Sequence, residues 1–119
     1  MSTLYKGEQM IEPINALGVD AACMGNHDFD YDIEHVKKLT KSCNFPWLCS
    51  NIFEGESGKN VADLLGFYVK DINGIKVGFI GLAEEDWLDT IIEIDINTLR
   101  YEEFVECAKE VISMLKSEH

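Results

Sequence analysis

Val19-Asp20-Ala21-Ala22-Cys23-Met24-Gly25-Asn26-His27-Asp28-Phe29-Asp30 is the stretch that decides the fold. Its first half is a short, nearly continuous apolar run, the pattern of a strand covered on both faces of a sheet. Its second half packs an amide, an imidazole and carboxylates into a few positions behind a glycine. Glycine there lets the backbone turn sharply and lets a ligand approach it. Ile33, Val36, Leu39 and Cys43 then recur at helical spacing. The order is strand, tight loop, helix. Such a loop lies at the C-terminal end of its strand, where open α/β sheets hold their ligands.

Outward from that unit, Met10, Ile11, Ile14 and Leu17 predict an earlier helix over residues 7–17, ended by Gly18. Pro13 should kink it or start its regular part. Asp30, Asp32 and Glu34 put negative charge at the start of the following helix, where the macrodipole favours it. Pro46-Trp47-Leu48-Cys49-Ser50 is a short strand, completing a parallel, right-handed β-α-β unit. Residues 54–60 are polar and glycine-bearing and predict an exposed loop. Phe67 to Ile72 and Ile75 to Ala83 are two strand patterns separated only by Asn73-Gly74, a type I′ hairpin signal. Glu84 to Leu88 leaves the sheet. Phe104, Ala108, Val111 and Leu115, with Val105 and Ile112, draw the apolar stripe of a last helix. The expected class is α/β: a β-α-β unit plus a β-hairpin with flanking helices, in a single partial domain over residues 1–119. Trp47, Trp87 and the other aromatics read as core. No Gly-x-Gly-x-x-Gly follows a strand, so a dinucleotide-binding Rossmann domain is disfavoured.

The chain has 119 residues, 46% of them hydrophobic, and 22 acidic against 10 basic side chains. A formal net charge of −12 repels nucleic-acid backbones and anionic membrane surfaces, so neither is an expected partner. No apolar run reaches the length of a membrane span. Met1 to Lys6 lacks the charged start and apolar stretch of a signal peptide. Cys23, Cys43, Cys49 and Cys107 form no C-x-x-C pair, which disfavours a structural zinc site. They read as buried free thiols in a reduced compartment. Together these features predict a cytoplasmic protein.

Gly25-Asn26-His27-Asp28 resembles the Gly-Asn-His-Asp/Glu signature of the calcineurin-like metallophosphoesterases. The longer run to Asp30 resembles the 5′-nucleotidase branch of that superfamily. Asn15 to Ala22, Leu48-Cys49-Ser50-Asn51-Ile52 and Gly74 to Leu82 agree with the branch in order and rough spacing. The resemblance covers Tyr5 to Leu115 and corresponds to the middle of the family's catalytic domain, a partial metallophosphoesterase α/β sandwich.

The resemblance implies metal-dependent hydrolysis of a phosphate ester. It implies Asn26 as a metal ligand, through a neutral, hard amide oxygen. It implies His27 as the catalytic group that stabilises the phosphate and protonates the leaving oxygen. Asp30 would orient His27 and hold it cationic. Asp28 and Asn51 would act behind these, Asp28 fixing the loop and Asn51 lying near the site or tying down a loop. The implied cofactor is a divalent metal pair of manganese, zinc, iron or magnesium, and the implied substrate is a phosphate ester. A net negative chain does nothing to attract such an ester, so the cations would have to.

The family's Asp-x-His, Gly-Asp-x-x-Asp and Gly-His-x-His signatures do not occur in these 119 residues, and Asp32 stands where the branch favours glycine. His35 and His119 match no motif position. One amide cannot hold a metal pair, so the chain alone is expected to bind no metal and to be inactive. The alternative is a non-catalytic α/β interaction module that keeps one relic motif. Uncovered sheet edges and helix faces would then favour a homo-oligomer.

Overall fold

The computed structural model describes residues 8–25, 33–55, 57–90 and 96–118. A 3-10 turn, Glu8–Met10, leads directly into helix α1 (Ile11–Ala16). Pro13 is the third residue of α1. Backbone N–H groups in the first helical turn have no partner inside the helix, so the missing donor costs nothing there. The helix therefore starts ahead of the proline. Gly18 follows at φ +73°, a conformation that glycine reaches without strain.

Strand β1 (Ala22–Cys23) pairs in parallel with β2 (Trp47–Leu48), Ala22 opposite Trp47 and Cys23 opposite Leu48. Bonds from Ala22 N to Pro46 O (3.1 Å) and from Met24 N to Leu48 O (3.0 Å) lengthen the pair. Helix α2 (Ile33–Ser42) lies between them in sequence, so the expected β-α-β unit forms. Its inward residue, Val36, is buried with Met24, Cys49, Ile52, Val61, Ala62, Leu64 and Ala83 in one core. Leu48 also bridges Leu65 in parallel. Cover on both faces of β1 is not found: Met24 is buried, but Cys23 is exposed.

The hairpin is β4 (Tyr68–Ile72) and β5 (Ile75–Phe79), paired residue for residue from Tyr68–Phe79 to Ile72–Ile75. Asn73 (φ +54°) and Gly74 (φ +85°) both adopt the positive φ of a type I′ turn. Asp71 Oδ1 accepts the Gly74 N–H at 2.8 Å. Strand β5 stops at Phe79, short of the predicted Ala83. The next residues leave the ladder and run against the chain after β2, with Ser50 N donating to Gly81 O at 2.6 Å.

A further pair was not expected. Strand β3 (Ile52–Glu54) runs antiparallel to β6 (Leu99–Tyr101); no strand was predicted at either place, and the loop expected over residues 54–60 gives up its first residue to β3. Helix α3 (Phe104–Glu118) begins behind Glu103, whose Oε2 accepts the Glu106 N–H at 2.9 Å as an N-cap. It rests on β5, where a Cβ on Gly78 would lie 3.2 Å from Leu115 Cδ1. The predicted stripe is rotated. Cys107 is the buried member, whereas Phe104, Val105 and Ile112 are exposed. None of the four cysteines forms a disulfide; Cys49 and Cys107 are buried.

Candidate functional site at the strand ends

Asn26, His27, Asp28 and Asp30 lie outside the described residues. What the structure places is the chain on either side of them. Met24 and Gly25 follow β1, and the described chain resumes at Ile33, the first residue of α2. The parallel register sets Cys23 opposite Leu48. Gly25 and Ser50, each two residues further on, therefore leave the same end of the β1–β2 pair. This is the C-terminal edge where the sequence placed the site.

Behind that edge Ser50 and Asn51 form a buried polar latch. Ser50 Oγ donates to Gly66 O (2.5 Å) and accepts the Gly81 N–H (2.9 Å). Asn51 Nδ2 donates to Ala83 O (2.8 Å) and to Glu102 O (3.0 Å), while Oδ1 accepts the Ala83 N–H (3.0 Å). The main chain of Asn51 takes part as well, its carbonyl accepting the Glu102 N–H at 2.9 Å. Tyr101 Oη adds a bond to Ala83 O at 3.1 Å. Asn51 is thus a side chain that ties loops together, one of the two roles weighed for it. Ser50 was missed: its neighbour Asn51 drew the attention, and a lone serine after a strand carries no sequence signal for double bonding.

Gly81 fits only because it lacks a side chain. A Cβ there would stand 2.7 Å from Leu48 O and 2.9 Å from Leu48 Cβ. The close approach lets the 81–83 segment lie directly against the end of β2.

Burial pushes the Cys49 thiol up to about 12, with the nearby Cys23 and Cys107 adding to it and backbone bonds opposing it. A thiol so shifted stays protonated and is no nucleophile at neutral pH. Cys107 is also raised, by burial first and then by Glu102 and Glu110. The Glu102 carboxyl is raised by burial and by its bond and charge contact with Glu110.

An open cleft of about 690 Å³ flanks the start of α2, lined among others by Ile33, Glu34, Lys37, Glu54, Ser57 and Asn97. Among the described residues no group of three or more His, Cys, Asp or Glu side chains could hold a metal ion. The described part of the chain therefore does not fit a metal pair by itself. Among the described residues no helix is long and apolar enough to cross a membrane.

No model of a known protein family matches the sequence. Against individual proteins the chain is 33% identical over 115 residues to a 5′-nucleotidase of Vibrio cholerae, covering 97% of this chain and 20% of that protein. The chain belongs to the 5′-nucleotidase family. A snake venom 5′-nucleotidase from Gloydius brevicauda is 32% identical over 87 residues, covering 71% of this chain and 15% of that protein. The chain spans about a fifth of the length of the curated relatives it matches.

The fold agrees with the family. A 5′-nucleotidase precursor from Thermus thermophilus superposes with a TM-score of 0.82 at 22% identity, over 98% of this chain and 23% of that one. The calcineurin-like phosphoesterase YfkN of Bacillus subtilis superposes with a TM-score of 0.72 at 25% identity, over 98% and 40%. The α/β class and the partial phosphoesterase architecture predicted from the sequence are those of this 5′-nucleotidase-family chain.

The cytoplasmic expectation is corrected. Relatives in this family include a venom enzyme and a precursor, and they work outside the cytoplasm. The cysteines misled because the lack of a disulfide does not report a compartment. An oxidising environment permits disulfides but does not require them.

Proposed function

We propose that the chain is a partial catalytic domain of a 5′-nucleotidase, hydrolysing nucleotide phosphate esters when the rest of the site is present. The observation that carries this is the Gly25-to-Asp30 run, set between β1 and α2 in a chain that aligns almost throughout with a 5′-nucleotidase. In this reading Asn26 would hold one ion of a divalent metal pair, which supplies charge neutralisation and an activated water when bound. His27 binds the phosphate and delivers a proton to the leaving oxygen. Asp30 orients His27 and keeps it cationic. Asp28 braces the loop, and Asn51 holds the strand ends beneath it.

The isolated 119-residue chain is inactive in this proposal, because one amide cannot hold a metal pair and the family's Asp-x-His, Gly-Asp-x-x-Asp and Gly-His-x-His signatures do not occur in it. The test is phosphate release from a nucleoside 5′-monophosphate with Mn²⁺ or Zn²⁺, alongside calorimetric metal titration. Release no faster than buffer, with no saturable binding, is the expected result. Turnover lost on His27→Ala, or tight metal binding lost on Asn26→Ala, would overturn the inactivity and assign the chemistry to this chain alone.

A second reading, a non-catalytic module that self-associates, draws support from the exposed Phe104, Val105 and Ile112 on α3. Sedimentation giving a clean monomer would remove it.

A further inference from the structure

The turn of the β4–β5 hairpin carries a reactivity that its structural role does not use. Asn73-Gly74 is the only Asn-Gly pair in the chain. A main-chain nitrogen that follows asparagine can attack the side-chain amide carbon, and glycine leaves that nitrogen unshielded. Asn15, Asn44, Asn51 and Asn60 are each followed by a residue with a side chain, and each is tied down through its own amide. Asn73 is exposed, and among the described residues its side chain makes no hydrogen bond. A Cβ built on Gly74 would meet nothing within 4 Å, so the surroundings of the attacking nitrogen are open.

The backbone is already half-way to the reactive shape. Asn73 and Gly74 both hold positive φ, at +54° and +85°, as a type I′ turn requires. Ring closure turns over the peptide between them and carries the turn toward type II′, in which the first residue keeps its positive φ. Both types suit a two-residue hairpin, so the strands stay paired. Asp71 opposes the change. Its Oδ1 accepts the Gly74 N–H at 2.8 Å, and turning the peptide over breaks that bond. The carboxylate also holds the proton that the nitrogen must lose, and its charge disfavours the anion left behind.

We propose that Asn73 is a site of spontaneous deamidation and that the Asp71 carboxylate is its brake. Gly74 N gives its proton to a solvent base and bonds to Asn73 Cγ. The Cγ–Nδ2 bond breaks, and the nitrogen takes up a proton and leaves as ammonia. The cyclic imide is then opened by water. Opening at Cγ restores the main chain and leaves aspartate. Opening at the main-chain carbonyl leaves isoaspartate, which adds a carbon to the backbone inside the turn.

The test incubates the folded chain at mildly alkaline pH and follows residue 73 by peptide mass mapping, with aspartate and isoaspartate separated by chromatography. Wild type, Asp71→Ala, Asp71→Asn and Tyr68→Leu are compared. Tyr68 packs its ring on Phe79, with centroids 6.1 Å apart, at the end of the hairpin away from the turn. Tyr68→Leu therefore loosens the ladder and spares the turn. Conversion at residue 73 is expected about tenfold faster in Asp71→Ala than in wild type, the factor that one hydrogen bond to a charged group supplies. Asp71→Asn keeps an acceptor without the charge and should fall between the two. Tyr68→Leu should match wild type. Amide exchange over Tyr68–Phe79 is followed in parallel and should not change in Asp71→Ala. Equal rates in Asp71→Ala and wild type overturn the proposal. So does acceleration in Tyr68→Leu as large as in Asp71→Ala, or acceleration in Asp71→Ala matched by its ladder exchange, since hairpin opening would then set the rate. Conversion in the wild type at another asparagine ahead of residue 73 overturns it as well.

Discussion

The segment Leu48–Ile52 and the hairpin β4–β5 are opposite solutions to the same problem. The hairpin is regular: the backbone groups its two strands turn toward each other pair along the ladder, and its turn is set by Asn73-Gly74. Yet it is peripheral, and Ile75 is 67% exposed. Cys49–Asn51 is irregular between two short strands, yet these residues and the flanking Leu48 and Ile52 are all buried. A buried chain without a ladder must find other partners for its polar groups. Ser50 and Asn51 supply them, reaching Gly66, Gly81, Ala83 and Glu102. Regularity and importance to the fold are therefore separate properties here. The ladder organises itself, whereas the latch organises everything else.

The largest expected effect follows directly. Asn51→Ala would leave the Ala83 N–H and the Glu102 carbonyl buried without these partners, at a cost of about 3 kcal/mol. That is a large share of a small domain's stability. Urea unfolding followed by circular dichroism measures it, and a loss below about 1 kcal/mol would break the contrast. Gly81→Ala is next. Its Cβ would press on Leu48 O at 2.7 Å, backbone against side chain, and the required shift costs about 2 kcal/mol. The same unfolding experiment reads it. A neutral Gly81→Ala would mean that the 81–83 segment can move off β2 freely.

The hairpin was legible because its signal is local: two turn residues that tolerate positive φ between two apolar alternations. The β-α-β unit was legible for a similar reason, since Val36 and its neighbours declare their face through spacing alone. Strands β3 and β6 were not legible. Each has only three residues, and they pair across some 45 positions, so Leu99-Arg100-Tyr101 has too few alternations to declare a strand. The apolar stripe of α3 was read correctly as helical, and its Ala108, Val111 and Leu115 are half-buried, but its Phe104, Val105 and Ile112 are exposed. Cys107 counts among the small hydrophobes and took the buried place from Phe104. For the site, the Gly-Asn-His-Asp run announced its family, but the supporting hydrogen bonds of Ser50 did not. They depend on which segments the fold brings past it, and no spacing in the sequence encodes that.

Gly74→Ala tests the other half of the contrast. At φ +85° a side chain is strained, although no atom lies within 4 Å of the added Cβ. The expected loss is about 1 kcal/mol, all of it conformational. Asn at the same position should cost less, since it tolerates the left-handed region. Amide exchange should quicken in Tyr68–Phe79 and not in Leu48–Ile52. Exchange quickening equally in both would show that the hairpin and the latch open as one unit.

The smallest effect sits where the latch meets α3. Glu102 gives its main-chain N–H to Asn51 and accepts from the Asn51 amide, so its backbone is held, while its side chain lies against Glu110. Burial first, and then Glu110, raise the Glu102 carboxyl above its ordinary value. A raised carboxyl binds its proton more tightly in the folded chain. Its contribution to stability is fully present below the unfolded value and is lost as pH rises through the folded one. The Glu110 contact disfavours the charged form of Glu102, the form that prevails as pH rises. Glu110→Gln should therefore stabilise the chain at pH 7 by on the order of a few tenths of a kcal/mol, after screening by solvent. Below the carboxylate range, where Glu102 is protonated in both states, the gain should vanish. Urea midpoints at pH 3.5 and pH 7 separate the cases. An equal gain at both would assign the benefit to helix propensity in α3, and the Glu102 side chain would then carry none of the load that its backbone bears.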